Sequence, residues 1–448
     1  MTTAFSCLIL ALIGCQQPAA QDDAAARGYQ HLRSSTYLPP DFDQATFENL
    51  WRVWPEPLRS RAKQATAAQR RDMAFERYGL VPDPAQTKGP GLGYVSDGKN
   101  GWVMSCLACH SGTVAGKPIL GSPNSNYGLQ TLTEEAFKMK VRQLKLPSHL
   151  DSASLEMPLG TTAGSTNAVR FGVILAAFRK KNMDVNLAAQ PPESASHDMD
   201  APPFWNVKYK KSLYADGFAP KNERMLLQFM MLPSNSGERM RGWEPEFRDI
   251  LAWIESLEPP TYPYAIDQQL ASKGKVVFEN NCARCHGTYE PTVKYTQITV
   301  PLDEIGTDPV RLHELPREHR EWVKSSWMSR YGDDPTETNP TGYVAPPLTG
   351  IWASAPYFHN GSVPTLWHVL RSEKRPAMWR RSRTAYDRER VGVQFEEFDK
   401  FPESITDKAE LRRFFDTSKP AKSAKGHTFP DELTRRQKRQ LLEYLKTL

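Results

Sequence analysis

Two five-residue segments of this chain share one pattern, Cys106-Leu107-Ala108-Cys109-His110 and Cys282-Ala283-Arg284-Cys285-His286. In each segment two residues separate a pair of cysteines, and a histidine follows at once. This is the attachment sequence of c-type haem. The spacing lets one turn of backbone reach both vinyl groups, and the histidine then binds the iron from one face. The pattern predicts two covalent haem c groups, with thioethers from Cys106, Cys109, Cys282 and Cys285 and proximal ligands His110 and His286.

Other sites also use paired cysteines, and their spacing differs from the spacing here. Zinc ribbons place two such pairs about 15–20 residues apart, whereas these pairs lie in opposite halves of a 448-residue chain. A redox dithiol does not need a histidine directly after both motifs. The chain has six cysteines, and four of them fall in these motifs. Haem attachment is therefore favoured over both alternatives.

The residues around the second motif predict a cytochrome c domain. Residues 259–266 are rich in proline and form a linker that does not continue a helix. Asp267 is a suitable N-cap for a helix that runs to about residue 281. Gly274 and Phe278 lie one turn apart on its apolar face. This pair resembles the one that lets the first helix of cytochromes c cross the last helix closely.

A similar helical pattern closes each half of the chain. Pro430 and Asp431 open a stretch whose end, 441–448, aligns without gaps with 250–257. Duplication explains this agreement better than two unrelated amphipathic helices do. Period-two alternation is scarce, so the predicted class is mainly α, with two cytochrome c-like domains each enclosing one covalent haem, long loops and few short strands. The predicted organisation is a signal peptide (1–14), a flexible tether (15–35), a first haem c domain (36–258), a linker (259–266) and a second cytochrome c domain (267–448).

The N-terminus begins with an apolar run, residues 4–13, that is too short to span a bilayer as a helix. With Gly14 and Cys15 it resembles a bacterial lipoprotein signal peptide, in which Cys15 becomes the lipidated first residue. No Lys or Arg precedes the run, as signal peptides usually require. A plain secretory signal or an unprocessed N-terminus are the alternatives. Both signal readings predict export to the periplasm or cell envelope, with membrane attachment through a lipid anchor only.

Composition is that of an ordinary globular protein, with 39% hydrophobic and 24% charged residues. The formal net charge is +6, but two haems would bring four propionates, so no nucleic-acid partner is predicted. Cys7 would leave with the signal, Cys15 would carry lipid, and the other four cysteines would hold haem. No disulfide is therefore predicted.

Several further segments resemble a known superfamily. Residues 342–352 (GYVAPPLTGIW) and 355–366 (APYFHNGSVPTL) resemble the second-haem segment of bacterial dihaem cytochrome c peroxidases. Residues 298–309 (ITVPLDEIGTDP) and the pair Gly426-His427 are closer to the rubber-oxygenase-like branch. The resemblance extends from about residue 80 to the C-terminus and implies redox chemistry at haem.

The sixth iron ligands decide that chemistry, because an iron with two strong protein ligands transfers electrons while an open face binds oxygen or peroxide. For the second haem the options are His427, His359 and Met378; the resemblance favours His427 and makes His359 a polar neighbour of the haem edge. Peroxidases of the group usually supply a distal histidine soon after the first motif. This chain has none between His110 and His149. We therefore expect an open or water-occupied distal face on the first haem.

Two other features bear on electron transfer. Trp205 resembles the tryptophan between the haems in this superfamily, so it is a possible interhaem relay, with a buried aromatic anchor as the alternative. Residues 371–390 contain eight basic and three acidic residues. Such a stretch predicts a solvated face, a docking surface for an acidic electron donor, or a set of propionate partners.

The predicted function is an exported dihaem c-type cytochrome that acts as an oxidoreductase. It would act on peroxide or dioxygen at the first haem, as a cytochrome c peroxidase-like enzyme or a rubber-oxygenase-like dioxygenase, with the second haem as electron relay. The alternative is a non-catalytic dihaem electron carrier with both irons fully ligated. The predicted partners are an electron donor or acceptor protein, or a small oxidant.

Overall fold

A computed structural model describes residues 23–86, 88–193 and 196–448. The predicted signal peptide, Cys7 and Cys15 lie outside these ranges. Within these ranges, ten helices precede the predicted linker: α1 (Ala24–Ser34), α2 (Gln44–Asn49), α3 (Leu58–Gln64), α4 (Ala67–Tyr78), α5 (Leu129–Arg142), α6 (His149–Glu156), α7 (Ala168–Ala177), α8 (Glu223–Leu226), α9 (Gly237–Gly242) and α10 (Glu244–Ser256). Eight follow it: α11 (Gln268–Asn281), α12 (Ala283–His286), α13 (Leu302–Ile305), α14 (Val310–Glu314), α15 (Arg317–Ser325), α16 (Leu366–Val369), α17 (Lys408–Leu411) and α18 (Arg435–Leu445).

The strands are mostly short. In the described ranges they are β1 (Phe42–Asp43), β2 (Tyr94–Ser96), β3 (Gly101–Met104), β4 (Ser111–Val114), β5 (Lys117–Leu120), β6 (Ser165–Thr166), β7 (Met199–Asp200), β8 (Ser212–Leu213), β9 (Ala219–Pro220), β10 (Thr299–Pro301), β11 (Gly342–Val344), β12 (Met378–Asp387), β13 (Gly392–Glu397) and β14 (Phe414–Asp416). They form two three-stranded sheets, β1-β3-β2 and β13-β12-β14, and four two-stranded ribbons. The fold is thus largely helical with few short strands, as predicted, although the ten-residue β12 was not anticipated.

In the second half the first and last helices cross at a glycine. Asp267 caps α11 by accepting from the backbone N–H groups of Gln269 and Leu270. A methyl group on Gly274 would lie 2.0 Å from the carbonyl oxygen of Gln440 on α18. Only glycine allows this approach. Helix α18 begins at Arg435, later than the sequence indicated, because a short 3₁₀ turn (Phe429–Glu432) contains the proline.

The first half repeats this arrangement with α1 and α10. A methyl group on Gly28 would lie 2.0 Å from the carbonyl oxygen of Asp249, and the Arg27 guanidinium donates to the Asp249 carboxylate at 2.7 and 2.9 Å. Residues 24–34 are therefore a packed helix, not part of a flexible tether as predicted for 15–35. This helix is not evident in the sequence because its apolar positions are few.

A buried ion-pair network fixes the two halves against each other. The Arg77 guanidinium at the end of α4 donates to Glu135 on α5 at 2.6 and 3.0 Å and to Asp407 of the second half at 2.8 and 2.9 Å. Arg77 is almost fully buried. Removing one member of such a network would leave an uncompensated buried charge, so the halves are held in one relative orientation.

Over the described residues, every helix is too short or too polar to cross a membrane.

Candidate haem sites

The first motif forms a compact turn that aims its histidine inward. Residues Cys106–Ala108 make a 3₁₀ turn, and the His110 backbone N–H donates to the Cys106 carbonyl at 3.1 Å. The His110 ring nitrogen Nδ1 lies 3.0 Å from the carbonyl oxygen of Pro202, and the ring stacks on Phe204 with centroids 3.8 Å apart. A carbonyl can only accept, so Nδ1 carries the proton and Nε2 keeps its lone pair for a metal. Burial lowers the His110 pKa to about 4, which keeps the ring neutral.

The histidine of the second motif is oriented in the same way. Its histidine ends the short helix α12, and the His286 Nδ1 lies 2.8 Å from the carbonyl oxygen of Pro346. The Tyr289 hydroxyl donates to the His286 carbonyl at 2.6 Å. Burial also lowers the His286 pKa. The histidine of each motif is therefore oriented by a proline carbonyl, which leaves the Nε2 lone pair of both rings available to a metal.

His427 faces His286 at a separation that suits one shared metal ion. Two imidazoles that bind one ion from opposite sides have ring centres roughly 6.3 Å apart, because each metal–nitrogen bond is about 2.0–2.1 Å and each nitrogen lies about 1.1 Å from its ring centre. The His286 and His427 centroids are 6.2 Å apart. Burial, followed by the neighbouring His286 and Arg375, lowers the His427 pKa to about 3. His286 and His427 are therefore the two residues that would hold a haem iron between them.

Contacts with other residues of the second half hold the backbone around His427 in place. Its N–H donates to the Ile305 carbonyl at 2.6 Å, and Gly426 lies so close to Gly306 that a methyl group there would approach the Gly306 carbonyl carbon to 2.2 Å. The Arg375 guanidinium donates to the Gly426 carbonyl at 2.7 Å and to the His427 carbonyl at 3.3 Å. These contacts hold His427 at a φ of 47°, a left-handed conformation that is unfavourable for a residue with a Cβ.

The first motif differs from the second in the ring that lies against its histidine. Among the described residues, the ring that packs on His110 is Phe204, and no histidine ring faces His110 as His427 faces His286. The polar segment 122–127 lies against the backbone of the first motif. The Asn124 side chain donates to the Ala108 carbonyl at 2.9 Å, and its backbone N–H donates to the Cys109 carbonyl at 2.8 Å. This segment therefore positions the motif backbone.

His359 and Met378 lie in other packing environments. The His359 ring stacks on Tyr343 with centroids 4.4 Å apart, and burial together with the nearby Arg311 lowers its pKa to about 3. Its neighbour Phe358 packs on His427 with ring centroids 6.0 Å apart, so His359 lies one residue from the second site. Met378 is a buried strand residue that pairs with Asp416 in the β12–β14 ladder.

Trp205 joins the two segments whose carbonyl groups orient His110 and His286. Its indole Nε1 donates to the Thr349 carbonyl at 2.7 Å, and the Asn206 amide donates to the Pro347 carbonyl at 2.9 Å. The Thr349 hydroxyl in turn donates to the Asn206 side-chain oxygen at 2.5 Å. The segment that begins at Pro202 is thus hydrogen-bonded directly to the segment that begins at Pro346. Trp205 is completely buried between them.

Two further cations are partly or fully buried, and the sequence did not single them out. Lys210 is half-buried, which lowers its pKa to about 8, and no carboxylate in the described ranges pairs with it. Arg311 donates to Asp216 at 3.0 Å, but its Nε and Nη1 atoms are buried without a hydrogen-bond partner. Buried cations need a compensating anion. Both therefore fit a cofactor that carries carboxylates, as haem does through its propionates.

The comparison with known families falls on a segment that contains both Pro346 and Met378. Residues 342–380 match the family model described as RoxA-like, cytochrome c-like. The uncharacterized protein y4iM of Sinorhizobium fredii (strain NBRC 101917 / NGR234) is 32% identical over 31% of this chain and 37% of its own length. The uncharacterized protein y4iJ of the same strain is 28% identical over 43% of this chain and 41% of its own length. The chain thus spans about two fifths of each relative.

The RoxA-like segment supports a haem-binding cytochrome with covalently bound haem c and an electron-transfer role. It contains Pro346, which orients His286, together with Thr349, Phe358 and Arg375. The Pro346 carbonyl orients His286, and the Thr349 carbonyl accepts a hydrogen bond from Trp205. Phe358 packs on His427, and Arg375 anchors the loop that carries it. The matched residues therefore form much of the second site, whereas both cysteine motifs and His427 lie outside the match.

Proposed function

We propose that this chain is a dihaem c-type oxidoreductase in which peroxide or dioxygen binds at the haem of His110 and the haem of His286 relays electrons. The observation that carries the proposal is the difference between the two sites. His427 faces His286 at a ring separation of 6.2 Å, and no histidine of the described residues faces His110 in this way. An iron with one strong protein ligand keeps a face for an oxidant.

The protein's own groups have separate tasks in this proposal. Haem supplies a redox-active iron when bound, and the four motif cysteines fix its position. Pro202 and Pro346 set the tautomers of the proximal histidines. Lys210 and Arg311 offset the negative charge of the propionates. Burial keeps His359 neutral, and its neighbour Phe358 packs on His427. His359 is therefore proposed as a polar residue at the edge of the second haem.

The choice between an enzyme and a pure carrier is tested by ligand binding to the reduced holoprotein. We expect carbon monoxide to bind about one of the two haems at saturation, because only the first iron has an open face. The measurement is a titration followed at the Soret band, with haem counted by the pyridine haemochrome method. No spectral change with carbon monoxide or cyanide would instead establish a carrier with both irons fully ligated.

Trp205 is proposed to carry electrons between the two haems. Replacing Trp205 with Phe removes the hydrogen bond to the Thr349 carbonyl and the indole itself, and we expect interhaem electron transfer to slow by about tenfold, which corresponds to 1.4 kcal/mol in the barrier. The measurement is flash photolysis of the carbon monoxide complex in the half-reduced protein.

Trp352→Phe is the matched control, because Trp352 is equally buried and its indole also donates to a carbonyl, that of Pro260 at 2.8 Å. Equal rates of interhaem electron transfer in Trp205→Phe and Trp352→Phe, with both haems retained, would show that Trp205 contributes packing alone.

Export and anchoring belong to the same proposal. We propose that Cys15 carries lipid and holds the enzyme at a bacterial membrane facing the periplasm or cell envelope, where its electron partner is a small protein or its oxidant diffuses freely. Covalent haem attachment to this motif in bacteria takes place outside the cytoplasm, which supports the same location.

A further inference from the structure

The connection between α5 and α6 exposes an apolar tip. We call residues 143–148 the α5–α6 corner. Leu144 and Leu146 are 95% and 88% exposed, and Val141, one turn earlier on α5, is 56% exposed. Single exposed leucines are common on protein surfaces. Two almost fully exposed leucines at alternate positions, next to an exposed valine and Pro147, are a local cluster that requires an explanation.

The polar residues of the corner face the protein while the leucines face outward. The Gln143 side-chain oxygen accepts from the Thr46 hydroxyl at 2.7 Å, and the Lys145 ammonium donates to the two Asp43 carboxylate oxygens at 2.7 and 2.6 Å. At the base, the Lys140 ammonium is buried and donates to the Asp41 carbonyl at 2.5 Å. These bonds fix the register, so the leucines cannot turn inward without breaking an ion pair.

Leu144 also occupies a backbone position that favours glycine. It follows the end of α5 with a φ of 54°, in the left-handed region. Helices commonly end on such a residue, and it is usually Gly or Asn, because a Cβ is unfavourable there. A leucine at this position weakens the folded state and exposes apolar surface at the same time. Both costs are offset if the side chain has a partner outside the chain.

The charges around the corner indicate what that partner is. Lys138 and Arg142 are exposed on the last turns of α5, and residues 136–150 contain no Asp or Glu. The apolar tip is a few side chains wide, far smaller than the 20–30 residues a side of a stable protein interface. A small rigid apolar tip with basic flanks is the chemistry that inserts at the surface of an anionic bilayer.

We propose that the α5–α6 corner docks this protein on anionic membranes by inserting Leu144 and Leu146 between lipid headgroups, with Lys138 and Arg142 against the headgroup charge. This proposal does not depend on the haem chemistry. It orients the molecule at a membrane, whether or not Cys15 carries lipid.

The test uses the full-length holoprotein with C15S, so that no attached lipid contributes. Co-sedimentation with vesicles of phosphatidylglycerol and phosphatidylethanolamine is compared with vesicles of phosphatidylcholine. We expect binding to the anionic vesicles only, and L144N/L146S to weaken it by at least about tenfold, because burying a leucine contributes about as much as one power of ten in affinity. Asparagine tolerates the left-handed conformation, so the variant keeps its fold, as the Soret band and melting temperature will show.

L155S is the matched control, because Leu155 on α6 is also exposed, at 74%, but lies outside the corner. It should bind vesicles as the parent does. Equal binding of L144N/L146S and the parent would overturn the proposal. Self-association of the parent that the same variant abolishes, without vesicle binding, would also overturn it and assign the corner to contacts between copies of the chain.

Discussion

Replacing His427 with Gly is expected to convert the second haem from a six-coordinate low-spin iron to a high-spin iron with an open face. The His427 ring lies 6.2 Å from the ring of His286, and the variant removes it. Glycine suits the φ of 47° at this position better than histidine does. The fold should therefore persist, so the change is read in the iron and not in stability.

The measurement is low-temperature EPR of the oxidised protein, together with the Soret band. We expect one low-spin signal to disappear and added imidazole to restore it, because the space left by the ring accepts a free ligand. His368→Gln is the control, since His368 is also buried but its Nδ1 bonds to the Thr365 hydroxyl at 2.7 Å. An unchanged low-spin signal in the His427 variant would exclude His427 as an iron ligand.

Gly274→Ala is expected to destabilise the protein by about 3 kcal/mol, at the upper end of the usual cost of overpacking. The added methyl group would lie 2.0 Å from the Gln440 carbonyl oxygen, so the backbone of α18 has to move. Displacing a helix backbone destabilises the fold more than displacing one side chain, because the helix moves as a unit and loses its other contacts as well.

Denaturant unfolding of the holoprotein, followed by tryptophan fluorescence, measures this effect. Gly242→Ala at the end of α9 is the matched control, since a methyl group there has nothing within 4 Å, and it should be neutral or stabilise the fold by up to about 1 kcal/mol. If both variants unfold at the same denaturant concentration, α11 and α18 do not cross as closely as the structure shows.

The basic segment 371–390 illustrates how far sequence reasoning reaches. Its charge suggested a solvated face, a docking surface for an acidic electron donor, or a set of propionate partners. In the structure, part of it forms β12 and several arginines point inward. Arg381 is buried and donates to the Ser125 carbonyl, and Arg375 anchors the loop that carries His427. Charge composition does not distinguish an arginine that faces water from one that satisfies buried carbonyls, because the carbonyls come from distant parts of the chain.

The sequence by itself determined the local chemistry. Cys-x-x-Cys-His is a property of five consecutive residues, so the prediction of haem attachment at both motifs requires no knowledge of the fold. The helix α11, with its cap at Asp267, is equally local, since helical spacing and capping involve neighbours in sequence. His427 was singled out only through the resemblance of its surroundings to a known branch.

Tertiary structure alone decided how the two motifs differ and how they are connected. It brought His427 opposite His286 across more than a hundred residues of chain, and it bonded Trp205 and Asn206 to the segment that follows Pro346. These contacts join residues far apart in sequence, and no local spacing encodes them. Only the packed fold sets which histidine lies opposite His286 and which carbonyl orients the histidine of each motif.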